Sequence, residues 1–165
     1  MMILNFHRTD ELSYRGKATE HFEQALQKIT GVKYVLATNS GTSALHLCYL
    51  CSGIKPGDEV FVPSLTFVGT VNPLAYIGAV PHFVDCDTYL SINADQLARF
   101  LKLCATVRNG ECFNTLTGRR IKAIVAVHVL GMPCDMEALN AIADEYCLTV
   151  IEDAAQALGS RIKGR

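Results

Sequence analysis

Residues 122–156 read KAIVAVHVLGMPCDMEALNAIADEYCLTVIEDAAQ, and this stretch decides the fold. A nearly unbroken apolar run over 123–129 predicts a strand. Residues 135–146 predict a helix, and 148–151 predict a second apolar strand. Strands that are apolar throughout, separated by a helix, belong to a parallel sheet covered on both faces.

The same alternation extends toward the N-terminus. Phe22, Ala25, Leu26 and Ile29 lie at helical spacing within 17–30, and Gly31 stops that helix. Residues 34–38 are rich in β-formers and predict a strand, followed by a helix over 41–51. The turn Gly53-Ile54-Lys55-Pro56-Gly57-Asp58 leads into a strand at 59–62. A helix over 66–78, a strand over 80–84 and a helix over 93–102 follow. The polar stretch 108–120 reads as a small hairpin or surface excursion. The expected fold is α/β, a three-layer sandwich with a mainly parallel sheet of five strands. At 165 residues the chain is one domain by length.

Composition excludes several classes. Half the residues are apolar, so disorder is excluded. With 15 Lys and Arg against 16 Asp and Glu, nothing favours nucleic acid or an anionic membrane as a partner. No apolar run reaches the length of a membrane span, and residues 1–8 lack the pattern of a signal peptide. Seven cysteines at irregular spacing, most of them inside apolar runs, read as free, buried thiols in a reducing cytoplasm. Cys48 and Cys51 share a helix face without a second ligand pair, which favours core packing over a metal site.

In a parallel sheet, ligands sit beyond the carboxyl ends of the strands. Three segments there carry chemistry. Asn39-Ser40-Gly41-Thr42-Ser43 opens a helix, whose free N–H groups and hydroxyls describe a phosphate cradle or, equally, a plain helix cap. Glu152-Asp153-Ala154-Ala155-Gln156 places an acid at the end of a buried strand. The acid either meets a cation such as a protonated pyridine or serves as a helix cap or structural ion pair. Phe67 offers a flat face at the same edge, or fills core. Together, a cradle, a stacking ring, a buried acid and an amide at Gln156 fit pyridoxal 5′-phosphate, in which the acid keeps the ring nitrogen protonated. His128 reads as a packed or hydrogen-bonded structural histidine, Cys134 as a loop residue and Asp135 as a helix cap.

The segments NSGTSALHL (39–47), GIKPGDEVFVPSLTFVGTVNPLAYIGAVPHFVDCD (53–87), KAIVAVHVLGMPCDMEAL (122–139) and VIEDAAQALGS (150–160) resemble the DegT/DnrJ/EryC1/StrS family. These are pyridoxal-phosphate sugar aminotransferases of fold type I, the aspartate-aminotransferase architecture. The resemblance implies that Thr42 and Ser43 bind the cofactor phosphate and that Phe67 stacks on the ring. It also implies that Asp153 pairs with the ring nitrogen and that Gln156 contacts the 3′-oxygen. The stretch 108–122 is similar to the subgroup acting on nucleotide-linked precursors of nonulosonic acids. Implied partners are a nucleotide-sugar substrate, an amino-acid donor and further copies of the chain in a homo-oligomer.

The resemblance also implies parts that these residues do not include. The Schiff-base lysine and a phosphate-binding serine are expected beyond Arg165, as is the small C-terminal domain. Lys122 and Lys163 fall at the wrong places for the catalytic lysine. Residues 1–165 are therefore expected to be the N-terminal part of the large domain, inactive in transamination by itself. Two later strands are expected between the strand at 34–38 and the strand at 148–151, leaving unpaired edges. Closure of that gap by an altered strand order or by partner chains is the expectation for a folded product. A non-catalytic binding or oligomerisation module is the competing reading. A generic nucleotide-binding domain is disfavoured by the absence of a glycine fingerprint.

Overall fold

The computed structural model describes residues 16–164, so the reading of residues 1–8 lies outside the described residues. The chain divides into two units, Met1–Asn39 and Ser40–Arg165. In the first, α1 (Lys17–Thr30) ends at Gly31, whose φ of 73° suits a residue without Cβ. Past the turn, Ala37 N–H donates to Glu23 Oε1 (2.7 Å) and Gln27 Nε2 donates to the Lys33 carbonyl (3.2 Å). These bonds lay residues 33–37 back along the helix. The strand predicted at 34–38 is not formed: the segment joins no ladder, and Tyr34 and Leu36 are exposed. β-propensity there describes side chains suited to a sheet, but a strand also needs a neighbour to pair its backbone.

The second unit holds the remaining elements. They are α2 (Gly41–Cys51), β1 (Glu59–Pro63), α3 (Val68–Ile77), β2 (Val80–Val84), α4 (Ala94–Cys104), β3 (Ala105–Arg108), β4 (Glu111–Asn114), β5 (Arg120–Val127), α5 (Met136–Tyr146) and β6 (Thr149–Asp153). Strands β2, β1, β5 and β6 pair in parallel in that order. The polar stretch is the antiparallel hairpin β3–β4, turned by Asn109-Gly110, both at positive φ as a two-residue turn demands. β4 pairs with Arg120 and Ile121 at the start of β5, and β6 takes the same edge from Ala123 onward. β6 pairs with β5 alone, so an altered strand order is not used to close its other edge among the described residues.

The sheet is covered on both faces, which makes the three layers. Leu45 and Tyr49 of α2 and Leu74 of α3 pack on Val60, Val62, Ala123, Val125 and Ile151. On the other face, Leu97 and Leu101 of α4 and Leu139 and Ile142 of α5 pack on Phe61, Ile121, Ile124 and Ala126. Ile121 and Ala123 reach opposite faces although two residues apart. Glu59 pairs with Ile121 and Val60 with Ala123, so Lys122 is an extra residue that shifts the alternation.

Burial of the thiols is corrected in part. Cys112 and Cys134 are buried and Cys86 and Cys104 half-buried, whereas Cys48, Cys51 and Cys147 are exposed, all as free thiols. Helix α2 turns Leu45 and Tyr49 to the sheet, which leaves Leu47, Cys48, Leu50 and Cys51 exposed. The helix is apolar on more faces than the sheet covers.

Candidate functional site

The carboxyl ends of β1, β5 and β6 and the first turns of α2 and α3 surround a cavity of about 580 Å³. Thr42, Phe67, Asp153 and Gln156 all line it, together with Gly41, Gly69, Leu45, Thr66, His128 and Ala155. Ser43 is not among the lining residues. Its N–H donates to Ser40 Oγ (3.1 Å), and the two hydroxyls lie 3.0 Å apart, so it belongs to the helix cap. Ser40 is the capping residue, its side chain satisfying one of the orphan donors of the first turn. That leaves the neighbouring N–H groups and the positive end of α2 beside the cavity, where an anion is favoured.

Gly69 explains why the two sides of the site come so close. A Cβ there would lie 2.7 Å from Thr42 Oγ1 and 2.9 Å from the Phe67 ring. Only a residue without a side chain lets α2 and the start of α3 share this space. Phe67, just before α3, is 76% exposed, so its ring fills no core and its face is open to a ligand.

Asp153, the last residue of β6, is half-buried and tethered by both oxygens. Oδ2 accepts from Thr70 Oγ1 (2.7 Å) and Oδ1 from Ala155 N–H (3.3 Å). Thr70 and Tyr49 are completely buried, and Tyr49 O–H donates to the Thr70 carbonyl (2.8 Å). Burial, followed by the nearby Asp153 charge, pushes the Tyr49 hydroxyl pKa far up and keeps it a donor. No arginine, lysine or histidine forms an ion pair with Asp153 among the described residues. The structural-pair reading of this acid therefore has no partner among the described residues.

Gln156 is oriented by the turn after β5. Leu130 N–H donates to its Oε1 (2.8 Å), which turns the amide so that Nε2 remains for an acceptor. Leu130 pays for this position with φ 52° and ψ 25°, a left-handed conformation that leucine seldom adopts. Ser160 Oγ donates to the Gly131 carbonyl (2.8 Å) and completes the tie between the two loops.

His128 is a hydrogen-bonded structural residue, as its sequence context predicts. Nδ1 accepts from Cys134 N–H (3.1 Å), which puts the proton on Nε2, 2.9 Å from Glu152 Oε2. That bond holds the Glu152 carboxyl below its usual range against the opposing effect of burial. Asp135 caps α5 by accepting from Ala138 N–H (3.0 Å). Sequence reasoning missed Gly69, Thr70, Tyr49 and Leu130. Gly69 and Thr70 follow Phe67 closely enough to have been questioned, whereas the role of Leu130 lies in its backbone and leaves no mark in its side chain.

The donor set fits a flat, anionic, hydrogen-bonding group: a helix N-terminus, an open aromatic face, an anchored carboxylate and an oriented amide. No lysine among the described residues lines the cavity. Residues 2–165 match the DegT/DnrJ/EryC1/StrS aminotransferase family. The chain is 38% identical over 164 residues to GDP-perosamine synthase from Caulobacter vibrioides, covering 99% of this chain and 40% of that protein. A DegT DnrJ EryC1 StrS aminotransferase from Brucella abortus superposes with a TM-score of 0.77 at 35% identity, over 88% of this chain and 37% of that one. NtdA from Bacillus subtilis, solved with bound cofactor PMP, gives a TM-score of 0.71 at 34% identity, over 85% of this chain and 29% of that one. The chain thus spans 38–40% of the length of the curated relatives it matches.

Proposed function

This chain belongs to the DegT/DnrJ/EryC1/StrS aminotransferase family, and from that premise we propose that it forms the cofactor-holding part of a pyridoxal-phosphate-dependent sugar aminotransferase. The whole enzyme would move an amino group from an amino acid, glutamate in our reading, to a nucleotide-linked keto sugar in amino-sugar biosynthesis. The relative named GDP-perosamine synthase supports a nucleotide-sugar substrate. A nonulosonic-acid precursor, suggested by the stretch 108–122, is the finer form of the proposal. That hairpin sits at the amino end of β5, away from the cavity, so it is assigned no contact with the cofactor.

The observation that carries the proposal is the anchored carboxylate of Asp153 in one cavity with Thr42, Phe67 and Gln156. When bound, pyridoxal phosphate supplies an electron sink that stabilises negative charge on the carbon next to the amine. The protein's share is to hold and orient. Thr42 and the first N–H groups of α2 bind the phosphate, and Phe67 covers one face of the ring. Asp153 keeps the ring nitrogen protonated, and Gln156 Nε2 donates to the ring oxygen. Ser43 supports the cradle through the helix cap. The Schiff-base lysine is proposed to lie beyond Arg165, outside this part of the large domain, together with the small domain.

We further propose a cytoplasmic homo-oligomer. The free thiols support a reducing compartment, and exposed Val68 and Tyr76 support a covered face. No helix among the described residues is long and apolar enough to cross a membrane.

The test uses pyridoxamine 5′-phosphate, which needs no lysine to bind. Titration followed by the cofactor's fluorescence should show saturable binding to this chain, weakened about tenfold or more in Asp153→Asn. The amide still accepts from Thr70, so the unfolding midpoint of this variant should stay near that of the parent. Absence of binding by the parent chain would remove the cofactor assignment and favour a non-catalytic module.

A further inference from the structure

Thr70 is a buried hydroxyl inside a helix, and such groups ordinarily turn back to the carbonyl four residues earlier. This one does not. Its Oγ1 lies 2.7 Å from Asp153 Oδ2, 83 positions later in the chain, and 2.7 Å from Thr66 Oγ1. A hydroxyl has one proton, and an ionised carboxylate can only accept. The Thr70 proton therefore goes to Asp153, and Thr66 donates to Thr70. The backbone of Thr70 is held from two further sides: its N–H donates to the Phe67 carbonyl (2.9 Å), and its carbonyl accepts from Tyr49 O–H (2.8 Å).

We propose that Thr70 is a positioning residue for Asp153, aiming the carboxylate at a bound pyridine ring and keeping their shared proton on the ring nitrogen. The inference rests on the cofactor reading above. Its physical basis is that a hydrogen bond donated to a carboxylate favours the ionised form over the acid. With Thr70 on Oδ2 and Ala155 N–H on Oδ1, both oxygens are held in place and each keeps a lone pair for the ring. The proton between carboxylate and pyridine then rests on nitrogen, the state in which the ring withdraws electrons. Without the Thr70 hydroxyl the carboxylate is free to rotate about its last torsion. Thr66 serves as the outer donor of the relay, polarising the Thr70 hydroxyl.

The test binds pyridoxamine 5′-phosphate labelled with nitrogen-15 in the ring to the full chain and reads the ring-nitrogen chemical shift, which separates protonated from neutral pyridine. Thr70→Val keeps the shape and removes the hydroxyl. It should weaken binding by about tenfold and move the shift toward the neutral form. Thr70→Ser, which keeps the hydroxyl, should restore both. A Thr70→Val protein that binds within about twofold of the parent with an unmoved shift, its only defect a lower unfolding midpoint, overturns the proposal. That outcome leaves the cofactor reading standing, whereas a parent chain that binds no cofactor takes both down. If Thr70→Val does not fold, Thr66→Val decides. A smaller displacement in the same direction supports the relay, and an unmoved shift overturns it.

Discussion

The two ends of β5 each carry a polar cluster, and they differ in where their hydrogen-bonding capacity goes. At the amino end, Arg120 grips buried Asp58 with two nitrogens (3.0 and 2.5 Å) and reaches Glu111 (2.8 Å) and the Gly53 carbonyl (3.1 Å). Beside it, buried Glu59 accepts from Asn114 Nδ2 (2.8 Å) and Thr117 Oγ1 (2.6 Å), with His82 Nδ1 at 3.5 Å. The buried carboxylates there meet their hydrogen-bond partners inside the chain, and the hairpin is fastened to the sheet as a result. At the carboxyl end, Asp153 and Gln156 are each fixed by neighbours on one side and face a cavity on the other. Burial of charge is common to both ends and does not distinguish them. A held group with capacity left over is what marks a ligand site.

The largest expected effect tests the closed end. Arg120→Ala leaves Asp58 buried without its cation, and removing one partner of such a pair costs about 3 kcal/mol or more of folding stability. Urea unfolding measures this. The same experiment on Thr42→Val at the open end should read within ~0.5 kcal/mol, because no partner among the described residues depends on that hydroxyl. A loss of stability at Thr42 equal to that at Arg120 would erase the distinction between the ends.

A second test uses acid. Burial pushes the Glu59 carboxyl up, but the hydrogen bonds from Thr117 and Asn114 and the neighbouring His82 outweigh it, and the net shift is downward. A carboxyl whose folded pKa lies below its unfolded value stabilises the fold above the unfolded value, near 4.3 for glutamate. That contribution fades as the pH falls toward and through the folded pKa. Glu59→Gln should therefore lower stability at neutral pH by about 1–2 kcal/mol and flatten the loss of stability below about pH 4.5. Unfolding midpoints measured from pH 3 to pH 7, with an acid slope in the variant as steep as in the parent, would show that Glu59 is not the group responsible.

The same contrast explains what could be read in the sequence. The sheet was legible because its parallel strands are built on apolar runs, and these members fall within a few residues of their predicted bounds. The segment 34–38 was misread because its composition suits a strand while pairing depends on a neighbour that composition does not supply. Thr42, Phe67, Asp153 and Gln156 were legible as a set because a parallel sheet brings strand ends to one edge. Ser43 reads as a phosphate ligand in the sequence, and its N–H and hydroxyl also bond Ser40 three residues earlier, since hydroxyls at a helix start serve either purpose. Glu59, Asn114 and Arg120 passed unnoticed because their partners lie up to 62 positions away, and no local pattern announces a long-range pair.

Positive φ gives the finest comparison between the ends. Asn109 at φ 53° and Gly110 at φ 76° turn the hairpin, where left-handed backbone is what the two-residue loop requires and asparagine tolerates it. Leu130 at φ 52° lies in the tight turn after β5 rather than in a hairpin, and its side chain is 73% exposed, so little packing offsets the strain. Its reward is the N–H that fixes Gln156. A left-handed conformation costs a residue with a Cβ roughly 1–2 kcal/mol, and glycine gives back part of the gain through unfolded-state entropy, roughly 0.5–1 kcal/mol. Leu130→Gly should thus stabilise the fold by about 0.5 kcal/mol, while Asn109→Gly should change it by less than that. Because Leu130→Gly keeps the N–H but loosens the turn, its affinity for pyridoxamine 5′-phosphate should fall even as its unfolding midpoint rises. Strain that is maintained for orientation predicts these opposite signs. A variant that gains both stability and affinity would mean that the left-handed leucine contributes nothing to holding the amide.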